Sequence, residues 1–391
     1  MRYCILIHYH ELSLKKGNRK WFENKFISNV HKHLKGLSFS KIRLVVGRVI
    51  VFDIDETQQK VYLSLLKNIM GLMNATITVE LEAELSEMTI VAEKLVKNVH
   101  YDNFRVTTKR QDKSFPKTSQ QTSMEVGGHI HQKFNKPVKL KGADLDLNIE
   151  IVNGFAFIGF EKIVGFGGLP VGVSEKAVSL LSSGIDSPVS SFELIKRGVE
   201  VSYVHFHSAP VTSRQSIRLV EQIVQQLSNY SLTARLYHIP LLEVQQAIME
   251  QIPNKFWILF FRRAMMKLSS QIAEIENASA LITGENIGQV ASQTLSNIRV
   301  ADDASTYPIL RPLAGSNKDD IVKRAKEIGT FEISIEPYQD CCSYFVPVHP
   351  ETKANLDEML ELEKKLNIEN EMQNAFEQKE IKSYKFNPEK L

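Results

Sequence analysis

Apolar positions in the first ~60 residues alternate and then recur at three and four, which predicts β-α-β-β. The expected strands are Tyr3 to His8, Ile42 to Val46 and Arg48 to Ile54, with a helix from Asn18 to Leu34. After Gly71 a strand is predicted at Ala75 to Leu81, a helix near Met88 to Val99, a strand at Phe104 to Thr108 and a helix from Ser123 to Phe134. Two more strands, Asp146 to Val152 and Phe155 to Phe160, flank Asn153-Gly154, a two-residue hairpin signal. Gly165-Phe-Gly-Gly-Leu-Pro-Val-Gly172 then reads as a linker.

Beyond it the rhythm becomes strand, helix, strand. Ala177 to Leu181 is a short apolar run, as in a strand buried on both faces. Pro188 fits a first helical position and Gly198 a helix end. Strands at Val201 to Phe206, Thr233 to Ile239 and Ala280 to Thr283 alternate with helices at Ser213 to Leu227 and Phe260 to Ile275. This alternation predicts a doubly wound, mostly parallel sheet with helices on both faces. The last ~40 residues, rich in Glu, Lys and Asn, read as a helical tail.

Composition narrows the class. With 43% hydrophobic and 24% charged residues the 391-residue chain is globular. No apolar run is long enough for a membrane span, and the amino terminus reads as a first strand and not a signal peptide. Three cysteines without a CxxC pair exclude a disulfide framework and a zinc knuckle, and place the chain in a reducing cytoplasm. The net charge of +3 hides an asymmetry: residues 1–175 hold 25 Lys+Arg against 18 Asp+Glu, and the remainder 23 against 27. A basic half facing a polyanion and an ordinary solvated face are both open on charge alone.

Chemistry concentrates after the first strand of the second half. Ser182-Ser-Gly-Ile-Asp-Ser187 joins strand to helix with small residues, which lets backbone N–H groups and the helix amino terminus cradle a phosphate. A plain tight turn capped by Asp186 or Ser187 is the alternative. Neither a Walker loop nor a GxGxxG is present. His205-Phe-His-Ser208 and Thr283-Gly-Glu-Asn-Ile-Gly-Gln289 end other strands of the same sheet and should face the same crevice. Glu285, Gln289 and Gln293 are candidates to position a nucleotide or metal there. His205 and His207 read better as packed histidines than as ligands, and no metal-ligand set is read. Cys341-Cys342 offers a nucleophile and a redox partner, or two inert thiols, and Cys4 reads as core. Lys318 opens a helix within reach of a pyrophosphate, or is a surface lysine. In the basic half Lys109, Arg110, Lys113 and Lys117 surround Phe115, a mixture of phosphate contacts and a stacking ring suited to RNA, or else a solvated loop.

Taken in order, the Ser182–Ser187 segment, His205-Phe-His-Ser208, Thr283 to Gln293, Arg311-Pro-Leu, Pro337-Tyr-Gln-Asp-Cys-Cys342 and Lys109-Arg-Gln-Asp-Lys-Ser-Phe-Pro116 resemble the tRNA 4-thiouridine synthase (tRNA uracil 4-sulfurtransferase) family over nearly the whole chain. The resemblance implies an α/β multidomain chain. A ferredoxin-like α+β domain would span 1–58, a THUMP α/β RNA-binding domain 59–165, a linker 166–176, and a PP-loop ATP pyrophosphatase domain 177–391. It implies ATP contacts at Leu180, Leu181, Ser182, Ser183, Gly184, Ile185, Asp186, Ser187, His205, Phe206, Arg262, Gly284 and Gln293, with Asp186 acting through Mg2+ and Lys318 near the phosphates. Cys342 matches the sulfur-handling thiol, with Cys341 open as the alternative. Implied partners are tRNA, a cysteine desulfurase as persulfide donor and, as an open alternative, a second copy in a homodimer. Ser183 stands where the family usually has glycine. The form resembled is the one without a rhodanese domain, on which a link to the thiazole branch of thiamine synthesis depends in some members.

Overall fold

The computed structural model describes residues 1–9, 11–14, 17–337, 345 and 349–388. The chain parts between Pro170 and Val171 into two units, each built on its own sheet.

In the first unit β1 (Arg2–Tyr9), β2 (Lys41–Val45), β3 (Arg48–Phe52), β4 (Leu72–Glu82), β5 (Phe104–Arg110), β6 (Leu145–Val152), β7 (Phe155–Gly159) and β8 (Lys162–Val164) form one sheet. Its order is β2-β3-β1-β4-β7-β6-β5, with β8 also on β4. The long β4 pairs with β1 on one edge and with β7 and β8 on the other, so the two amino-terminal regions share a single sheet. Asn153 (φ 50°) and Gly154 (φ 79°) supply the two left-handed residues that the tight turn between β6 and β7 requires. Helices Leu85–Val96 and Ser119–Phe134 bury Met88, Val126 and Ile130 against Leu147, Ile149 and Ile151. The opposite face curls inward. Arg48 on β3 and Glu150 on β6 are four strands apart, roughly 19 Å in a flat sheet, yet their side chains form an ion pair. Helix Gln59–Lys67 and β8 were not anticipated from the sequence pattern.

In the second unit β9 (Lys176–Leu180), β10 (Glu200–His207), β11 (Thr233–Pro240), β12 (Ala280–Ile282), β13 (Ile309–Leu310) and β14 (Glu380–Lys385) run in the order β13-β12-β9-β10-β11-β14. All pairings are parallel except β14 on β11, which meets the expectation of a mostly parallel sheet. The chain winds outward from β9 through β10 to β11 and then returns to the far side of β9 as β12. That reversal creates a crevice at the carboxyl ends of β9 and β12. Helix Trp257–Glu276 closes one face, burying Leu259, Phe260 and Leu268 in a cluster with Val178, Val204 and Tyr237.

The helical tail needs correction. Helices Leu356–Glu363 and Glu369–Glu377 are present, but residues 380–385 form β14. This strand is mostly exposed and so lacks a periodic apolar signal. It shields the edge of β11, which would otherwise present unpaired backbone groups. No described helix is long and apolar enough to cross a membrane.

Candidate functional site

Helix Asp186–Ile195 starts a short bend after β9, and Pro188 falls in its first turn, where the missing N–H leaves no bond unmade. The bend closes on itself. Ser187 Oγ accepts the Ser182 N–H at 3.0 Å and donates to the Ser182 carbonyl at 3.1 Å, while Ser182 Oγ accepts the Gly184 N–H at 3.3 Å. Neither Ser183 nor Gly184 has a positive φ, so serine fits at the position where the resemblance leads one to expect glycine. The Ser183 side chain is fully buried and does not line the crevice at the carboxyl ends of β9 and β12.

A cavity of about 230 Å³ lies where β9 and β12 end. Of the expected nucleotide residues, Leu180, Ser182, Gly184, Asp186, Ser187, Arg262, Gly284 and Gln293 line it. Gly284 makes this closeness possible: a Cβ there would sit 2.6 Å from Ser187 N and 2.7 Å from Ser187 Cα. Ser190 Oγ donates to the Thr283 carbonyl at 2.7 Å and pins the two elements together. Asp186 accepts from Lys318 Nζ at 2.6 Å and from Gln289 Nε2 at 3.0 Å. Lys318 is the first residue of helix Lys318–Glu327, so the predicted lysine and carboxylate meet although 132 positions separate them.

Arg262 reaches the wall from helix Trp257–Glu276 and pairs with Glu285, which also binds Arg311 at 2.7 Å. Gln293 Oε1 is a buried acceptor with no hydrogen-bond partner among the described residues, which suits a ligand carrying a donor. No cluster of three His, Cys, Asp or Glu suited to a metal occurs among the described residues. Asp186 and Glu285 are the carboxylates on the cavity wall that could hold a cation.

Leu181, Ser183, Ile185, His205 and Phe206 are not on the cavity wall. His205 is buried and its Nδ1 donates to the Leu181 carbonyl at 2.9 Å, bracing the strand end. Burial, then the neighbouring His238, pushes its pKa down to about 3, so the ring stays neutral. Phe206 belongs to the hydrophobic core. Cys341 and Cys342 lie outside the described residues. Cys4 is buried, and burial drives its thiol pKa up to about 12, as expected of an inert core cysteine. Met265 and Met266 on the wall were missed, although they stand three and four residues after Arg262 and so share its helix face.

Comparison with known sequences bears directly on this site. The family described as thiamine biosynthesis protein (ThiI) matches residues 172–368, the ThiI ferredoxin-like domain 4–76 and the THUMP domain 82–161. The probable tRNA sulfurtransferase of Thermoanaerobacter pseudethanolicus is 41% identical, over 94% of this chain and 96% of its own. The chain belongs to the ThiI family. The probable tRNA sulfurtransferase of Thermus thermophilus is 36% identical over 96% of this chain and 92% of its own. A solved 4-thiouridine synthetase–RNA complex with bound ATP is similar to this ThiI-family chain at a TM-score of 0.88 and 33% identity, covering 98% of this chain and 100% of that one.

Within the THUMP match, the basic loop of this ThiI-family chain differs from its sequence reading at one residue. Phe115 is only 9% exposed and packs with Met88, Val126 and Ile151, so it anchors the loop and is not a free stacking ring. Arg110 Nη1 donates to the carbonyls of Phe115 at 2.8 Å and Lys117 at 2.9 Å, shaping the loop from within. Lys113 is exposed, Lys109 is exposed with Nζ 3.8 Å from Glu150, and Lys117 pairs with Glu125.

Proposed function

We propose that this chain is an ATP-dependent tRNA sulfurtransferase, which adenylates the C4 oxygen of uridine 8 and replaces it with sulfur to give 4-thiouridine. The observation that carries the reading is the single crevice at which the Ser182–Ser187 bend, Gly284, Asp186 and Lys318 meet. The names of the relatives, and the ATP and RNA in the similar complex, support it.

A uridine C4 oxygen is a poor leaving group, so activation must precede sulfur transfer. Attack of that oxygen on the α-phosphorus of ATP breaks the α–β bond and releases pyrophosphate. Backbone N–H groups of the bend, the amino terminus of helix Asp186–Ile195 and the Lys318 ammonium stabilise the charge that grows on the phosphates. Asp186 is the carboxylate that would hold magnesium, which when bound would neutralise part of the triphosphate charge. Gln293 Oε1 suits the exocyclic amine of adenine. A cysteine desulfurase loads a persulfide on Cys342. Its terminal sulfur bonds to C4 and AMP departs. Cys341 then attacks the Cys342 sulfur, leaving a Cys341–Cys342 disulfide and the thiouridine, and a dithiol reductant resets the pair. The basic first unit holds tRNA through its backbone, so affinity falls steeply with salt. The cytoplasm supplies the reducing setting.

Mass spectrometry of nucleosides from tRNA incubated with the protein, ATP, magnesium and a sulfur donor tests the reading. 4-Thiouridine is the expected product. Pyrophosphate release indifferent to tRNA would favour an adenylating enzyme acting on a small metabolite. No turnover of ATP at all would favour a non-catalytic RNA-binding protein.

A further inference from the structure

Arg262 does not stand alone in the cavity wall. Its guanidinium is gripped by the Glu285 carboxylate and by the Ser292 carbonyl. Glu285 is itself held, because its Oε2 accepts from Thr283 Oγ1 at 3.0 Å and from Arg311 Nε at 2.7 Å. The other edge of Arg311 forks onto Asp302, with Nη1 3.0 Å from Oδ2 and Nη2 on Oδ1. Arg311 is not part of the wall that Arg262, Glu285 and Gly284 share. It lies behind them, its side chain 12% exposed, on the wall of a separate hollow. The row Asp302–Arg311–Glu285–Arg262 has no net charge, so four ionised groups are buried or half-buried without an uncompensated one.

We infer that Arg311, acting through Glu285, is a positioning residue that fixes where Arg262 meets the nucleotide; this rests on the reading of the cavity as an ATP site. A carboxylate pinned on one side presents its free oxygen to Arg262 in a single orientation. A planar guanidinium suits the task because its Nε edge and its Nη pair address two carboxylates at once, whereas a lysine has one head. Loss of Arg311 leaves Glu285 Oε2 held by the Thr283 hydroxyl alone and lets Arg262 shift out of register with the ligand, without removing any group from the cavity wall.

The test is a double-mutant cycle on ATP affinity, measured by calorimetry on the full chain, with the melting temperature and tRNA affinity followed in parallel. Arg311→Met is expected to raise the Kd for ATP about tenfold while tRNA affinity is unchanged, and Arg311→Lys to do the same. In an Arg262→Ala background, Arg311→Met should add less than about twofold, because the residue through which it acts is gone. Fold-changes that multiply, or a wild-type Kd in Arg311→Lys, would overturn the assignment. Should Arg311→Met fail to fold, Arg311→Lys takes its place in the cycle with the same expected and contrary results. A wild-type chain that binds no ATP would end both this inference and the reading beneath it. Binding with an independent cycle would end the inference alone.

Discussion

Gly284→Ala is the most demanding substitution for this site. The added methyl carbon would lie 2.6 Å from Ser187 N, 2.7 Å from Ser187 Cα and 2.9 Å from the Asp186 carbonyl carbon. Ordinary carbon contacts are roughly 3.5–4.0 Å, so the two backbones must part by about 1 Å. No side chain can swing aside, since all three atoms are main chain, and the Ser190–Thr283 bond resists the separation. Overpacking of this kind costs about 1–3 kcal/mol of stability. Function should suffer more. The bend and the strand end that hold the phosphates move apart, and a displacement of ~1 Å in a reacting geometry costs on the order of 100-fold in rate. Steady-state pyrophosphate release with saturating tRNA, alongside thermal melting, reads both. The expected result is a kcat/KM for ATP down about 100-fold with the fold retained and tRNA affinity intact. Wild-type kinetics in Gly284→Ala would refute the claim that this close approach shapes the nucleotide site.

Lys318→Met should lower kcat for pyrophosphate release about 100-fold, with little change in melting temperature, because the ion pair to Asp186 has a half-exposed lysine. Phe115→Ala should cost about 3–5 kcal/mol of stability, read by denaturant unfolding, while the protein that remains folded still binds tRNA. Unchanged stability with lost RNA binding would restore the stacking role. Glu150 loses favourable hydration on burial, which alone would raise its pKa, but His8 and Arg48 hold it down to about 2 against an ordinary 4.5. A carboxyl depressed on folding contributes stability that is complete above pH 4.5 and is lost as pH falls from there toward 2. Acid unfolding followed by circular dichroism should therefore show a loss of stability across that window, which Glu150→Gln flattens.

Much of the second unit was legible because a parallel strand buried on both faces is a short apolar run that few other elements imitate. Ala177 to Leu181 and Val201 to Phe206 carried that signal, and the small residues after each strand marked the binding edge. Lys318 could be suspected from its place at a helix start, but only the fold brings it to Asp186. The row from Asp302 to Arg262 was not legible as a row: its four members come from four separate segments, and although Arg262 and Glu285 were candidates for the site, only the fold links them through Arg311 to Asp302. Phe115 misled because four surrounding basic residues suggest exposure, whereas the ring gains more by joining the core formed with Val126 and Ile151. Exposed β14 gave no periodicity to read.

The most direct measurement is the fate of the α-phosphate. Protein, tRNA and ATP labelled at the α-phosphorus are incubated without a sulfur donor, and the label is followed into tRNA and free nucleotide. The account predicts labelled adenylate on tRNA with an equal yield of pyrophosphate, both lost in Lys318→Met. Labelled ADP with free phosphate, and no label on tRNA, would contradict it.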